Sequence, residues 1–144
     1  MNQFASPALA GINAEAQFPE GYVDVDFTYV YDVVLLASQS LRDQAVPIHV
    51  DSDFALRAVM LAQNTGPFSI RFSDSQGYYL SSGFLLSGNF LSGAVPFPVP
   101  IFPELLLPAG SRLGIEINDL SAAQNTIQIL FRGAKRYHLP KPQR

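Results

Sequence analysis

The chain has 144 residues, of which 48% are hydrophobic and only 15% charged, and its net charge is −3. It contains no cysteine and no tryptophan, which excludes disulfides and thiolate zinc sites. No run of about 18 apolar residues offers a transmembrane helix, and the opening MNQFASPALAGINAEAQF lacks the basic start and continuous apolar segment of a signal peptide.

These features predict an intracellular product that is not exported by the usual signal. The length fits one domain with a proper core. Soluble proteins average roughly 25% charged residues, so the scarcity of charge here predicts apolar surface buried against other subunits. The charge is also uneven. Residues 1–131 carry −8, whereas residues 132–144 carry +5 from Arg132, Lys135, Arg136, Lys141 and Arg144. A basic tail on an acidic body can dock on an acidic neighbour or on nucleic acid, or simply be a solvated terminus.

Residues 1–20 show no clear period, and Pro7, Gly11 and Pro19 interrupt any long helix. They are expected to form an N-terminal arm. Tyr22–Ala37 carries the strongest strand signal. Val23, Val25, Phe27 and Tyr29 alternate with Asp24, Asp26, Thr28 and Val30, which places alternate side chains on opposite faces. Residues 38–46 are polar, and Pro47 begins a new segment. Residues 54–62, FALRAVMLA, suit either a helix capped by Ser52 or Asp53 or a strand. The β character of the flanking sequence favours the strand.

Asn64–Pro67 reads as a turn, and Phe68–Phe72 as a short strand with Phe68, Ile70 and Phe72 inward. Residues 73–77 form a hairpin loop in which Gly77 can adopt positive φ, and Tyr78–Leu86 is the expected return strand. The stretch PFPVPIFPELLLP then places five of the eleven prolines within thirteen residues. Alternate prolines favour extended or edge-strand backbone and remove ladder donors. The segment is too apolar for a solvated linker, so it is expected along the rim of the fold or against a partner. Leu113–Arg132 reads as a hairpin. Leu113, Ile115 and Ile117 alternate on one arm and Ile127, Ile129 and Phe131 on the other, with Asp119, Ser121 and Asn125 supplying the turn.

Catalytic chemistry is thinly represented. The two histidines, His49 and His138, are far apart, and the clustered His and Glu ligands of a metal-dependent cupin are absent. Asp24/Asp26 and Asp51/Asp53 could meet Ca²⁺ as i, i+2 pairs, but no oxygen-rich loop follows them, and solvated strand residues are the simpler reading. No nucleophile elbow, P-loop or dinucleotide fingerprint occurs. Tyr78 and Tyr79 could stack on a sugar, although core or interface packing is the commoner role of strand tyrosines. The acidic body argues against nucleic acid.

The long strands, the Pro-rich crossing, LPAGSRLGIEINDLS followed by NTIQILFRGAKRY, and the low charge together resemble small virion proteins of tailed bacteriophages. The likeness is to capsid decoration, or cement, proteins of jelly-roll or related β-sandwich fold, and it covers mainly residues 54–137. It implies a non-enzymatic, cofactor-free structural protein, made in the host cytoplasm and carried in the virion. Such a protein binds the major capsid protein or other virion subunits as a homo-oligomer, a dimer or trimer, without a membrane. A neck or tail component and a carbohydrate-binding sandwich are the alternatives.

The chain is therefore expected to fold as an all-β antiparallel sandwich of about eight strands over residues 21–137, plausibly a jelly roll. An arm at 1–20 and a basic tail at 138–144 flank it. Candidate subunit-contact residues are Phe97, Val99, Ile101 and Phe102 in the Pro-rich crossing, with Lys135, Arg136, Tyr137, Lys141 and Arg144 at the C-terminal end.

Overall fold

The computed structural model describes residues 21–92 and 95–140. Ten strands follow one another: β1 (Tyr22–Leu35), β2 (Ser40–Pro47), β3 (Asp53–Asn64), β4 (Phe68–Ser73), β5 (Leu85–Leu86), β6 (Leu91–Ser92), β7 (Val95–Pro96), β8 (Val99–Leu107), β9 (Arg112–Asp119) and β10 (Asn125–His138). A single 3-10 turn at Ser87–Phe90 separates β5 from β6. Eight of the strands form two four-stranded antiparallel sheets, in the orders β1-β10-β3-β8 and β2-β9-β4-β5, and β6 pairs with β7. This is the expected all-β sandwich of eight principal strands.

Residues 26–135 make one compact unit, and the described ends, 21–25 and 136–140, belong to a second. The predicted arm, residues 1–20, lies outside the described residues, as do Lys141 and Arg144 of the predicted tail.

The core of the larger unit follows from the alternation read in the sequence. Tyr29, Tyr31 and Leu35 of β1, Phe54, Leu56 and Leu61 of β3, and Ile127, Ile129 and Phe131 of β10 come from one sheet. Phe68, Ile70 and Phe72 of β4 and Leu113, Ile115 and Ile117 of β9 come from the other. Edge-to-face rings join the layers: Phe72 and Phe131 lie 5.6 Å apart at 89°. Each fully buried large side chain of this kind contributes about 1.5–3 kcal/mol relative to exposure. At Gly133 of β10 a Cβ would fall on the carbonyl oxygen of Ala55 and come within 3.1 Å of the Phe54 ring. Only glycine lets the strands approach so closely there.

Three expectations need correction. First, Leu113–Arg132 is two strands but not a hairpin. β9 pairs with β2 and β4 in one sheet, whereas β10 lies between β1 and β3 in the other. Residues 120–124 therefore carry the chain from sheet to sheet. Period-two alternation specifies a strand and its inward face, and both arms face the core equally well in either arrangement.

Second, residues 38–46, read as merely polar with Pro47 opening a new segment, contain β2 (Ser40–Pro47). Its register shifts between Leu41 and Gln44, and that irregularity erases the alternation that would have revealed it.

Third, the return strand after β4 is not continuous from Tyr78. Ser73 bridges Tyr79, while Ile70 pairs with Leu85. The return side thus spends six residues where β4 spends three, and only Leu85–Leu86 forms regular strand. The turn itself is as expected, with Gly77 at φ 87°. Asp74 Oδ1 accepts from the Gln76 and Tyr78 N–H groups, each at 2.9 Å.

A polar knot closes the sheet-to-sheet crossing. Asn125, fully buried, donates through Nδ2 to the Gly66 carbonyl at 2.9 Å, the Pro67 carbonyl at 3.2 Å and Asp119 Oδ1 at 3.1 Å. Its Oδ1 accepts from the Thr65 and Gly66 N–H groups at 3.1 and 3.0 Å. Asp119 also receives the Ser38 N–H at 2.8 Å and the Ser121 hydroxyl at 2.8 Å. The β1–β2 turn, the β3–β4 turn and the β9–β10 crossing are thereby tied together. Replacing Asn125 by Ala removes the acceptor of the Thr65 and Gly66 N–H groups and one of the donors to Asp119. The Asn125→Ala variant is expected to lose about 2–4 kcal/mol of unfolding free energy, read as a lower denaturant midpoint with an unchanged slope.

Candidate functional site

Most of the Pro-rich crossing forms β8, one of the two outer strands of its sheet, as the proline spacing predicts for an edge. Its pairing with β3 is broken in the middle. Leu56 pairs with Leu105 and Ala58 with Pro100. Between these pairs β3 has only Arg57, while β8 has the four residues Ile101–Glu104. The surplus bulges outward and re-aims the side chains. Val99 and Ile101 turn in and pack against the core. Phe102, at the crest, is 95% exposed, and the following Phe102–Pro103 peptide is cis. At the base of the bulge Arg57 Nε donates to Glu104 Oε1 at 2.9 Å.

Beside the crest the two sheets part over a cavity of about 80 Å³. Leu56 and Val59 of β3, Phe72 of β4, Leu85 of β5 and Val99 and Ile101 of β8 line it, with Leu80 and Ser81 from the irregular return segment. Leu80 is 41% exposed. It lines both this cavity and the surface groove that runs past Phe102 from Pro100 to Leu105. Leu86 and Leu106 add exposed apolar surface on β5 and β8. From Ser75 to Pro103 the sequence carries no charged residue at all. The charge-free stretch is the signal that marks this edge, and periodicity does not show it.

The other predicted contact residues are placed differently. Phe97 is half-buried in the link between β7 and β8, with its N–H 3.3 Å from the Phe90 carbonyl. Lys135 is buried. Its Nζ lies 3.0 Å from Asp51 Oδ2 and 3.1 Å from His49 Nδ1, and it sits 4.4 Å from the centre of the Phe27 ring. In the terminal unit, Arg136 grips Asp24 with Nε and Nη2, both at 2.9 Å, and covers the Tyr22 ring at 4.1 Å. Both cations are thus engaged inside the fold. Tyr137 is half-buried.

A second surface feature lies on the sheet containing β4 and β9. The Arg71 guanidinium sits between two rings, 3.7 Å from the centre of Tyr79 and 4.7 Å from that of Phe84. Arg42 approaches Phe84 at 5.1 Å. Glu116 accepts from Arg71 Nη2 at 3.1 Å and from the Tyr79 hydroxyl at 2.7 Å. The Tyr79 hydrogen bond, with Arg71 behind it, holds the Glu116 carboxyl below its usual value against the opposing pull of burial. The same bond pushes the Tyr79 hydroxyl up. Tyr79 is thus committed to the protein, whereas Tyr78 is 69% exposed. Among the described residues no group of three or more His, Asp or Glu side chains is placed to hold a metal ion.

Comparison of the chain with protein-family models, curated proteins and solved structures finds no match.

The carboxylates predict an acid limb of stability. At Asp119 burial pushes the pKa up. The Ser121, Ser38 and Asn125 hydrogen bonds outweigh it and leave the carboxyl below its usual value. A carboxylate depressed in the folded state stabilises above its unfolded pKa, and that contribution is lost as pH falls through the folded value. The melting temperature is therefore expected to fall as pH is lowered from about 5 towards 2. Tyr79→Phe, which removes the leading cause of the Glu116 shift, makes that fall shallower. An equal slope in the two proteins would contradict the assignment.

Proposed function

We propose that the protein is a structural subunit of a virus particle, of the capsid decoration type, that works by contact rather than by chemistry. The observation that carries this reading is the apolar edge built on β8, where a bulge holds Phe102 almost wholly in solvent. An isolated soluble domain gains nothing from such a residue, and contiguous exposed apolar surface marks interaction sites. The prolines sharpen the point. Pro100 and Pro103 have no N–H to offer an incoming strand, so the edge resists indiscriminate strand addition and recognition falls to side chains.

The strand order supports a jelly-roll reading of the sandwich. Apart from β4 and β5, which share a sheet, the eight principal strands alternate between the two sheets, and the orders β1-β10-β3-β8 and β2-β9-β4-β5 are compatible with two interleaved Greek keys. That architecture is common among capsid proteins and also among lectins. For the carbohydrate alternative, Tyr78 is the more exposed of the two rings. For the decoration reading, many weak lattice contacts add by avidity.

The test is made on particles. Mass spectrometry of purified virions is expected to find the chain, and particles stripped of it are expected to rebind the purified protein and then rupture at a higher temperature. Absence from the particle overturns the reading. Presence only in isolated necks or tails moves it to another virion component. Glycan binding abolished by Tyr78→Ala favours the lectin-like alternative.

A further inference from the structure

We propose that the β8 edge is a self-complementary docking surface, and that its occupant is the same edge of a second copy of this chain. The edge holds both halves of one contact. Phe102 is an apolar knob standing clear of the strand, and next to it lies an apolar hole between the sheets. Leu80 and Ile101 border both the hole and the groove beside the knob, so the two are neighbours on one surface. An isologous dimer needs such an arrangement, because a two-fold axis between knob and hole puts each knob opposite the other copy's hole.

Charge follows the same rule. Arg57 and Glu104 flank Phe102 as one cation and one anion, with side chains still 42% and 33% exposed. The two-fold axis brings the Arg57 of each copy towards the Glu104 of the other, so a four-charge ring surrounds the apolar contact. The stretch Ser75–Pro103 brings no further charge to this edge.

Size sets how the ring seats. A cavity of roughly 150 Å³ accepts a whole benzene ring, and this one is about 80 Å³. The Phe102 ring therefore enters edge first, with the side chain of Leu80 turning aside. Leu80 can do so because it sits on the irregular return segment rather than in a packed strand. Its backbone stays fixed by the N–H bond to the Phe72 carbonyl at 2.9 Å. The prolines explain why the dimer is made by side chains and not by a continuous sheet across the axis.

This pairing deepens the assembly reading but needs no capsid, so the two can fail separately. Sedimentation equilibrium of the purified full chain is expected to give a concentration-dependent mass that rises from 15.7 kDa towards twice that value. Phe102→Asp removes the knob, and Ser81→Phe fills the hole from its rim. Each is expected to weaken the dimer about 30-fold or more while keeping the wild-type circular dichroism spectrum and the melting temperature that the wild type shows when diluted to monomer. A wild-type chain that stays monomeric at high micromolar concentration overturns the proposal. So does a dimer that survives either substitution. A monomer that binds particles through Phe102 also overturns it, and assigns the knob to another virion protein.

Discussion

The fold depends on the buried contact between Asn125 and Asp119. At the crossing from β9 to β10 the chain must leave one sheet and enter the other, and backbone groups of the neighbouring turns converge there on two side chains. One amide side chain meets this need because it both donates and accepts. Asn125 serves the β3–β4 turn with its oxygen and nitrogen together, and hands its remaining donor to Asp119. Asp119 then reaches the β1–β2 turn at Ser38, whose φ of 60° opens its N–H towards the carboxylate. A hydrophobic pair in these positions would satisfy none of the backbone groups. Three of the connections between sheets are secured from this knot.

The individual strands were legible because a half-buried strand prints its inward face on every second residue. Residues 68–72 and 113–117 show that plainly. The pairing of strands was not legible, since alternation is blind to which sheet receives the strand. The supposed hairpin at 113–132 failed for that reason, and β2 escaped notice because its register shift broke the period. The same shortfall applies to the site. The proline run marked an edge, but Val99, Ile101 and Phe102 looked equivalent in it. Only the four-against-one bulge opposite Arg57 turns the first two inward and the third outward.

Lys135 and Arg136 looked like part of a free basic tail. Their partners, Asp51 and Asp24, are 84 and 112 residues away in sequence. No local pattern records a pairing at that distance. The excess of positive charge after residue 131 is real, but two of its five members are turned inward onto aspartates.

That finding changes what the low charge content means. Arg57, Arg71, Lys135 and Arg136 are each held by a carboxylate, and three of the four also lie over aromatic rings. Charges confined to such pairs project little field beyond their own neighbourhood. The β8 edge carries only the Arg57–Glu104 pair beside a charge-free stretch, so recognition there would rest on shape and apolar contact at short range. An edge of that kind needs protection from promiscuous pairing more than it needs attraction. Pro100 and Pro103 supply it by deleting the N–H groups that any passing strand would seek. The knob at Phe102 and the prolines on either side of it are then two parts of one device: the first makes the edge adhesive, and the second limits what can adhere to partners with a matching hole.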